Sequence, residues 1–454
     1  MAYSETPQYT SDIGASVTTG ATTLDRRRKY AFGDGVAELM PTATPLFSLA
    51  TKYAKVPTND PKFKMLEKRH IYQRRQFYSK AALDDLDWSS GLALDNTDIY
   101  ARCDANGVTQ AAGVSFDTLD AANANWLQAG TVVSFTDGVH TWTAYVSTHA
   151  AATTTLTVLS EDGATTTADT ATDVASATIK GQVIGSSHGE ATGAGAGWSD
   201  QMVDTEGYTQ IFKTPTPMIS GSGLATELRG IKNRFIEIYK ESLAAHKLDI
   251  EMAGMFGFGI GSLTDANSKP LRFTHGGLPF IGDASGHSTA FTYGGSGYDD
   301  FVDFLKEYMT PENGLEGNTR IAFVSRDIIA WLNKIGSDAH SSFLKASFSS
   351  SGGQWNLDNV VGAFGLNITK LTTPFGALGF VNHPMLREDS ENQGLVVDFN
   401  HIKMRPLQGN GINRDTSVYP HVEDNDTDGR VDLIMSEIGF EWDLPETHHR
   451  LVFS

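Results

Sequence analysis

The sequence predicts an α+β fold with a long helical spine, an extended β-hairpin, a compact α/β unit and a β-rich inserted domain. Three observations predict it. From Gly223 to Phe256, apolar residues recur at Leu224, Leu228, Ile231, Phe235 and Ile238, then at Tyr239, Leu243, Ile250 and Ala253. Spacing by three and four places them on helical faces, so one uninterrupted helix about 50 Å long is expected. Between Asp98 and Gly197, charge thins out and Ala, Thr and Gly dominate. In the last stretch, Ile434, Ile438, Phe440 and Trp442 alternate with Glu437, Glu441 and Asp443, the period of a strand.

The elements follow in order. Residues 1–40 carry little periodic apolar pattern and read as an extended arm. Pro41 and Pro45 frame Thr44-Pro45-Leu46-Phe47, where order begins. Residues 60–90 are charged and extended, with Lys62-Phe63-Lys64-Met65 alternating as in a half-exposed strand. Within the charge-poor region, Thr131–Phe135, Trp142–Val146, Leu156–Leu159 and Gly181–Ile184 read as strands separated by turns such as Asp137-Gly138 and Asp162-Gly163. The Ala-Thr tracts at 150–155 and 165–168 read as loops. Tyr208–Lys213 reads as a strand returning to the spine. Residues 257–297 read as loop, and Gly257-Phe258-Gly259-Ile260-Gly261 as a flexible hinge after the rod. Phe301, Phe304, Leu305 and Tyr308 form one helical face. Arg320–Val324 is a buried strand, and Ser325 caps a helix over 328–335 that Gly336 ends. Residues 337–358 are a serine-rich loop. Strands follow at 366–371, 377–382, 395–404 and 432–442.

The bulk numbers narrow the function classes. At 454 residues the chain exceeds one hydrophobic core. No apolar run approaches the roughly 20 residues a bilayer needs, and the N-terminal segment lacks the pattern of a signal peptide, so cytoplasmic synthesis is expected. The single cysteine, Cys103, excludes an intramolecular disulfide and a cysteine metal cluster. A net charge of −19 disfavours nucleic-acid binding except where cations concentrate. They do so at Arg26, Arg27, Arg28 and Lys29, and again at Lys62, Lys64, Lys68, Arg69, Arg74, Arg75 and Lys80. These, with the acidic Asp84, Asp85 and Asp87, are candidates for contacts between copies of the chain; solvated faces are the bland alternative.

The order of parts resembles a tailed-bacteriophage major capsid protein, the Johnson fold, in the branch with a β-rich insertion in the extended hairpin. The residues that carry the resemblance are Thr44-Pro45-Leu46-Phe47, Phe63-Lys64-Met65-Leu66-Glu67, Trp126–Phe135, Gly189-Glu190, Gln210–Pro215 ahead of Ile219-Ser220-Gly221, Lys247–Glu251, Asp398–Leu407 and Asp428–Glu441. The resemblance implies an N-terminal arm (1–40), the start of a peripheral domain with the outgoing hairpin strand (41–97) and the insertion (98–197). It further implies a returning strand (198–222), a spine helix (223–257), an axial α/β domain (258–394) and C-terminal strands of the peripheral domain (395–454). It implies a non-enzymatic subunit without cofactors that self-assembles into hexamers and pentamers. These would close an icosahedral shell around double-stranded DNA without sequence-specific binding. Scaffold, portal and decoration proteins are the implied partners, the virion the implied location, with assembly in the host cytoplasm. An acidic inner wall would let DNA slide during packaging. An encapsulin-like compartment shell is the alternative of the same fold.

Other motifs point elsewhere. Asp424-Asn425-Asp426-Thr427-Asp428-Gly429 matches the start of a calcium loop, but the twelfth position is Met435, so an acidic turn is expected and Asp424, Asp426 and Asp428 are the sole metal candidates. Ser342 and Lys345 have the spacing of a serine–lysine nucleophile pair without its companion motifs. A carbohydrate-binding or adhesin role for the inserted domain is a further alternative.

Overall fold

The computed structural model describes residues 44–69, 75–79, 92–104, 109–121, 126–136, 141–161, 164–165, 179–193, 195, 202–227, 233–283, 287–309, 319–339, 356–361, 367–373 and 376–454. Its architecture is α+β. A first helix, Pro45–Tyr53, begins with proline, whose missing N–H costs nothing in the first turn. The outgoing hairpin strand, Lys62–Glu67, pairs antiparallel with the returning strand, Val203–Tyr208, in register Lys62↔Tyr208 to Glu67↔Val203. Thr209, whose N–H donates to the Pro61 carbonyl at 2.9 Å and holds the hairpin base, leads into a further strand, Gln210–Pro215. That strand joins a four-stranded sheet with Ile402–Pro406, Leu433–Trp442 and Ser417–Tyr419.

The inserted domain is a nine-stranded sheet with its own core. Phe77, Leu94, Ile99, Cys103, Phe116, Trp126, Val133, Phe135, Trp142 and Leu156 pack there and join neither other core. The expected strands form at Thr131–Thr136, Thr141–His149, Thr153–Glu161 and Lys180–Ser186. The domain begins earlier than expected: Gln76–Ser79 and Leu92–Asp95 belong to its sheet, because Phe77 and Leu94 fill its interior. Thr153–Thr155 of the Ala-Thr tract is strand, since β-branched threonine suits a pleated surface as well as a loop.

The spine is shorter than expected. It spans Arg234–Phe256, 23 residues, about 35 Å. Asn233 starts it, its side-chain oxygen accepting the Phe235 and Ile236 N–H groups at 3.0 and 3.3 Å. Before it lies a separate short helix, Gly221–Ala225, followed by an extended Thr226. Apolar periodicity runs across this break; the cap, which periodicity does not register, ends continuity. The spine packs on the sheet through Ser242, His246, Ile250, Glu251, Gly254 and Met255, a largely polar or small stripe. Gly254 lets Phe440 and Leu46 approach: a Cβ there would lie 2.9 Å from the Phe440 ring.

The expected loop of 257–297 is structured. It holds a hairpin (Ile260–Thr264 with Pro270–Phe273), a helix (Gly277–Asp283) and a strand (Ser288–Phe291). Gly257 is no flexible hinge. Its carbonyl accepts the Gly276 N–H at 2.6 Å, and a Cβ on it would meet the Thr274 carbonyl. The axial unit is a seven-stranded mixed sheet with helices Tyr298–Tyr308 and Arg326–Ala339. Phe301, Phe304, Leu305 and Tyr308 are buried together as the spacing predicts. Ser325 caps the second helix, accepting the Ile328 N–H at 3.3 Å. That helix continues through Gly336 to Ala339. Asp398 divides the expected strand 395–404, its carboxylate accepting the Asn400 N–H, so Gln393–Val397 stays in the axial sheet and Ile402–Pro406 joins the peripheral one. Among the described residues, no helix is long and apolar enough to cross a membrane.

Candidate assembly surface

The hairpin alternates buried and exposed residues. Phe63, Met65 and Glu67 turn inward, and Gly207 leaves room for the Phe63 ring. Lys62, Lys64 and Leu66 turn outward. The outward lysines have partners across the hairpin: Lys62 reaches Glu206 at 2.7 Å, and Lys64 reaches Asp204 at 2.6 Å. Hydrogen bonding to these lysines holds both carboxyls below their ordinary range and raises the lysines. Such exposed pairs are screened by water and contribute little to stability. They fix register, and they leave the hairpin's outer face nearly neutral, with Leu66 71% and Met202 64% exposed.

Arg69 is a largely buried member of the same chain's own network. Its guanidinium donates to Glu67 at 2.7 Å and to Glu446 at 3.0 Å. Burial works against its charge, but the bonds to Glu446 and Glu67 leave its pKa above the ordinary value. The other oxygen of Glu67 accepts the Leu444 N–H at 2.9 Å, bracing a leucine held at φ 48°. Beside it, the acidic face of the strand Leu433–Trp442 is buried under cations. Glu437 takes Arg414 at 2.6 Å and the Thr209 hydroxyl at 3.1 Å; Glu441 takes Lys403 at 2.6 Å and Arg405. Burial pushes the Glu441 carboxyl up, but Arg405 and Lys403 draw it below its usual range. At Asp443, burial prevails over Lys403 and raises the carboxyl.

Two polar nodes tie the domains to the spine. Fully buried Glu251 accepts the Leu46 and Phe47 N–H groups at 2.9 and 2.6 Å, at the open N-terminus of the first helix. It also bonds His383 of the axial unit at 2.7 Å. His246 bridges Thr214 at 2.9 Å and Ser436 at 2.8 Å, and burial lowers its pKa. In the axial unit, Arg320 is buried against Tyr308, the Thr447 carbonyl and Asp398. Burial raises the Tyr308 phenol. It also depresses His448 and His449, each to about 3, helped by His401 and Arg320 at the first and by His287 at the second. Neither the Glu251 nor the Arg320 node was expected from sequence; buried charge among apolar neighbours at 250–255 and 320–324 was the available signal.

The other expected site residues fall as follows. Lys68 is exposed, and Arg75 sits where the chain enters the insertion, its carbonyl accepting the Val183 N–H. Arg26, Arg27, Arg28, Arg74, Asp84, Asp85, Asp87, Ser342 and Lys345 lie outside the described residues. Asp424, Asp426 and Asp428 do not converge: among the described residues, no three His, Cys, Asp or Glu are gathered to hold a metal. The turn is ordered instead by Glu423, which accepts the Val431 N–H at 2.8 Å and pairs with His421. That backbone bond, together with the His421 contact, holds the Glu423 carboxyl down at about 2.

The family model described as SU10 major capsid protein matches residues 15–452. A search of curated proteins finds no match. Among solved structures, the capsid of a native gene transfer agent (GTA) particle is 12% identical, with 97% of this chain and 99% of that chain covered and a TM-score of 0.44. The capsid of cyanophage P-SCSP1u is 10% identical over 59% of this chain and 80% of that one, TM-score 0.38. The SrpI encapsulin of Synechococcus elongatus is 11% identical over 56% and 77%, TM-score 0.38.

Proposed function

Because this chain belongs to the SU10 major capsid protein family, we propose that it assembles into hexamers and pentamers that close an icosahedral shell around double-stranded DNA. The family match over nearly the whole chain carries the reading. The hairpin supports it physically. A two-stranded ribbon is marginal alone and gains stability when laid against a neighbour, and repeated heterologous contacts close into rings. Many such contacts of modest strength add through multivalency. The hairpin lysines are satisfied in cis, so the docking face offers Leu66 and Met202 rather than net charge. A chain of net charge −19 makes no strong grip on packaged DNA. Scaffold, portal and decoration proteins are its partners in this reading, and the host cytoplasm is where it assembles.

Electron microscopy of the purified chain, expressed alone and within infected cells, tests this. Large closed shells, DNA-filled in the infected cell, are expected. A chain that stays monomeric at every salt and protein concentration overturns the reading, and a small protein-filled shell replaces it with a compartment.

A further inference from the structure

The inserted domain carries a cleft on the outward face of its sheet. Its sheet buries one face and turns the other outward: Phe77, Phe135 and Trp142 point in, while Gln76, Tyr78, Ser134 and Lys180 point out. The register places Gln76 opposite Gln182, and Gln182 opposite Ser134. The adjacent row runs Thr136, Lys180, Tyr78, Tyr100. Such rows form a grid of about 4.8 Å between strands and about 6.8 Å along them. Arg102 and Glu307, the latter from the axial helix, also line the cleft, whose volume is about 620 Å³. That volume lies within the range of small-ligand sites.

Tyr78 gives the cleft its floor. Its ring is tilted 31° to that of Tyr100, 6.2 Å away. A Cβ at Gly113, two strands over, would lie 2.2 Å from the Tyr78 hydroxyl. The tyrosine therefore lies along the sheet instead of standing off it, and it is half-buried, with one side of the ring toward the cleft. Gly113 sits at φ 67°, a conformation that itself favours glycine, so backbone and platform require the same residue. Beside the ring, the side chains of Gln76, Gln182, Arg102 and Lys180 make no hydrogen bond or ion pair within the chain among the described residues. The carboxamides offer both donor and acceptor atoms.

We propose that this cleft binds a hydroxyl-rich oligosaccharide, one sugar ring stacked on Tyr78 and its hydroxyls bonded to Gln76 and Gln182. A flat aromatic ring takes the C–H face of a sugar, and paired carboxamides meet adjacent hydroxyls. Two cations against one carboxylate, in a chain of net charge −19, make a poor track for a polyanion such as nucleic acid.

Saturation-transfer NMR on assembled full-length particles tests it, with cellohexaose, maltohexaose and chitohexaose as probes. At least one should receive transfer. Tyr78→Ala should abolish the signal and Tyr78→Phe should keep it. The double variant Gln76→Ala/Gln182→Ala, confined to outward side chains, should weaken binding at least about tenfold while particles still form. No transfer to any of the three, or transfer unchanged in the glutamine variant, overturns the proposal. So does binding by unassembled chains that vanishes in particles, which would make the cleft a surface between copies or for another protein.

Discussion

Glu251 shows how one residue can decide how three parts of a chain meet. Its two oxygens satisfy two orphan N–H groups at the start of the first helix and a histidine of the axial unit. A buried carboxylate would be costly without those partners, and removing it leaves them unpaired. Glu251→Ala should therefore destabilise the unassembled chain by about 3–5 kcal/mol, read from denaturant midpoints, with Glu251→Gln intermediate. The two adjacent histidines set a pH dependence. His448 and His449 titrate near 3 in the fold, against about 6.5 when unfolded. Between those values the unfolded chain binds more protons, so the stability they contribute is whole above pH 6.5 and falls as pH drops toward 3. Urea midpoints from pH 7 to 5, above most carboxylate titration, should decline. His449→Phe should be less stable at pH 7, losing its 2.8 Å bond to Thr289, yet decline less steeply by one proton. The histidine pair was visible in the sequence, but adjacency gave no sign of burial, because that comes from Trp442 on the preceding strand and from Phe304 and Tyr308 on a helix about 140 residues earlier.

At the scale of the element, the spine helix is set by its ends and its small residues as much as by its apolar stripe. Asn233→Ala removes the cap and should cost about 1 kcal/mol, seen as lowered thermal stability. Gly254→Ala would favour an ordinary helix interior. Here the added methyl meets Phe440 and Leu46, so overpacking should make the change destabilising by about 1–3 kcal/mol; calorimetry reads the sign. The strands of the insertion were legible because alternation with one buried face is a local signal. The division at Asp398 was less so, since the apolar run Gln393–Val397 and the alternating Ile402–Pro406 both read as strand and a single capping carboxylate separates them.

At the scale of the molecule, the inserted domain has a core that shares no residue with the other two. Its first and last strands pair directly, Gln76 opposite Gln182, so its ends lie side by side. Replacing residues 76–182 with a short glycine turn should leave a host that folds and unfolds in one transition, where the intact chain shows an added one by calorimetry. The sequence by itself determined the two-faced strands and the aromatic face at Phe301–Tyr308, because each depends on periodicity within a short window. Tertiary structure alone decided that Arg69 turns to Glu446 and Lys64 to Asp204 of its own chain, and that Glu251 joins two domains. Those outcomes depend on charges brought together from positions up to 377 residues apart, and burial gives such pairs a value that no local pattern records.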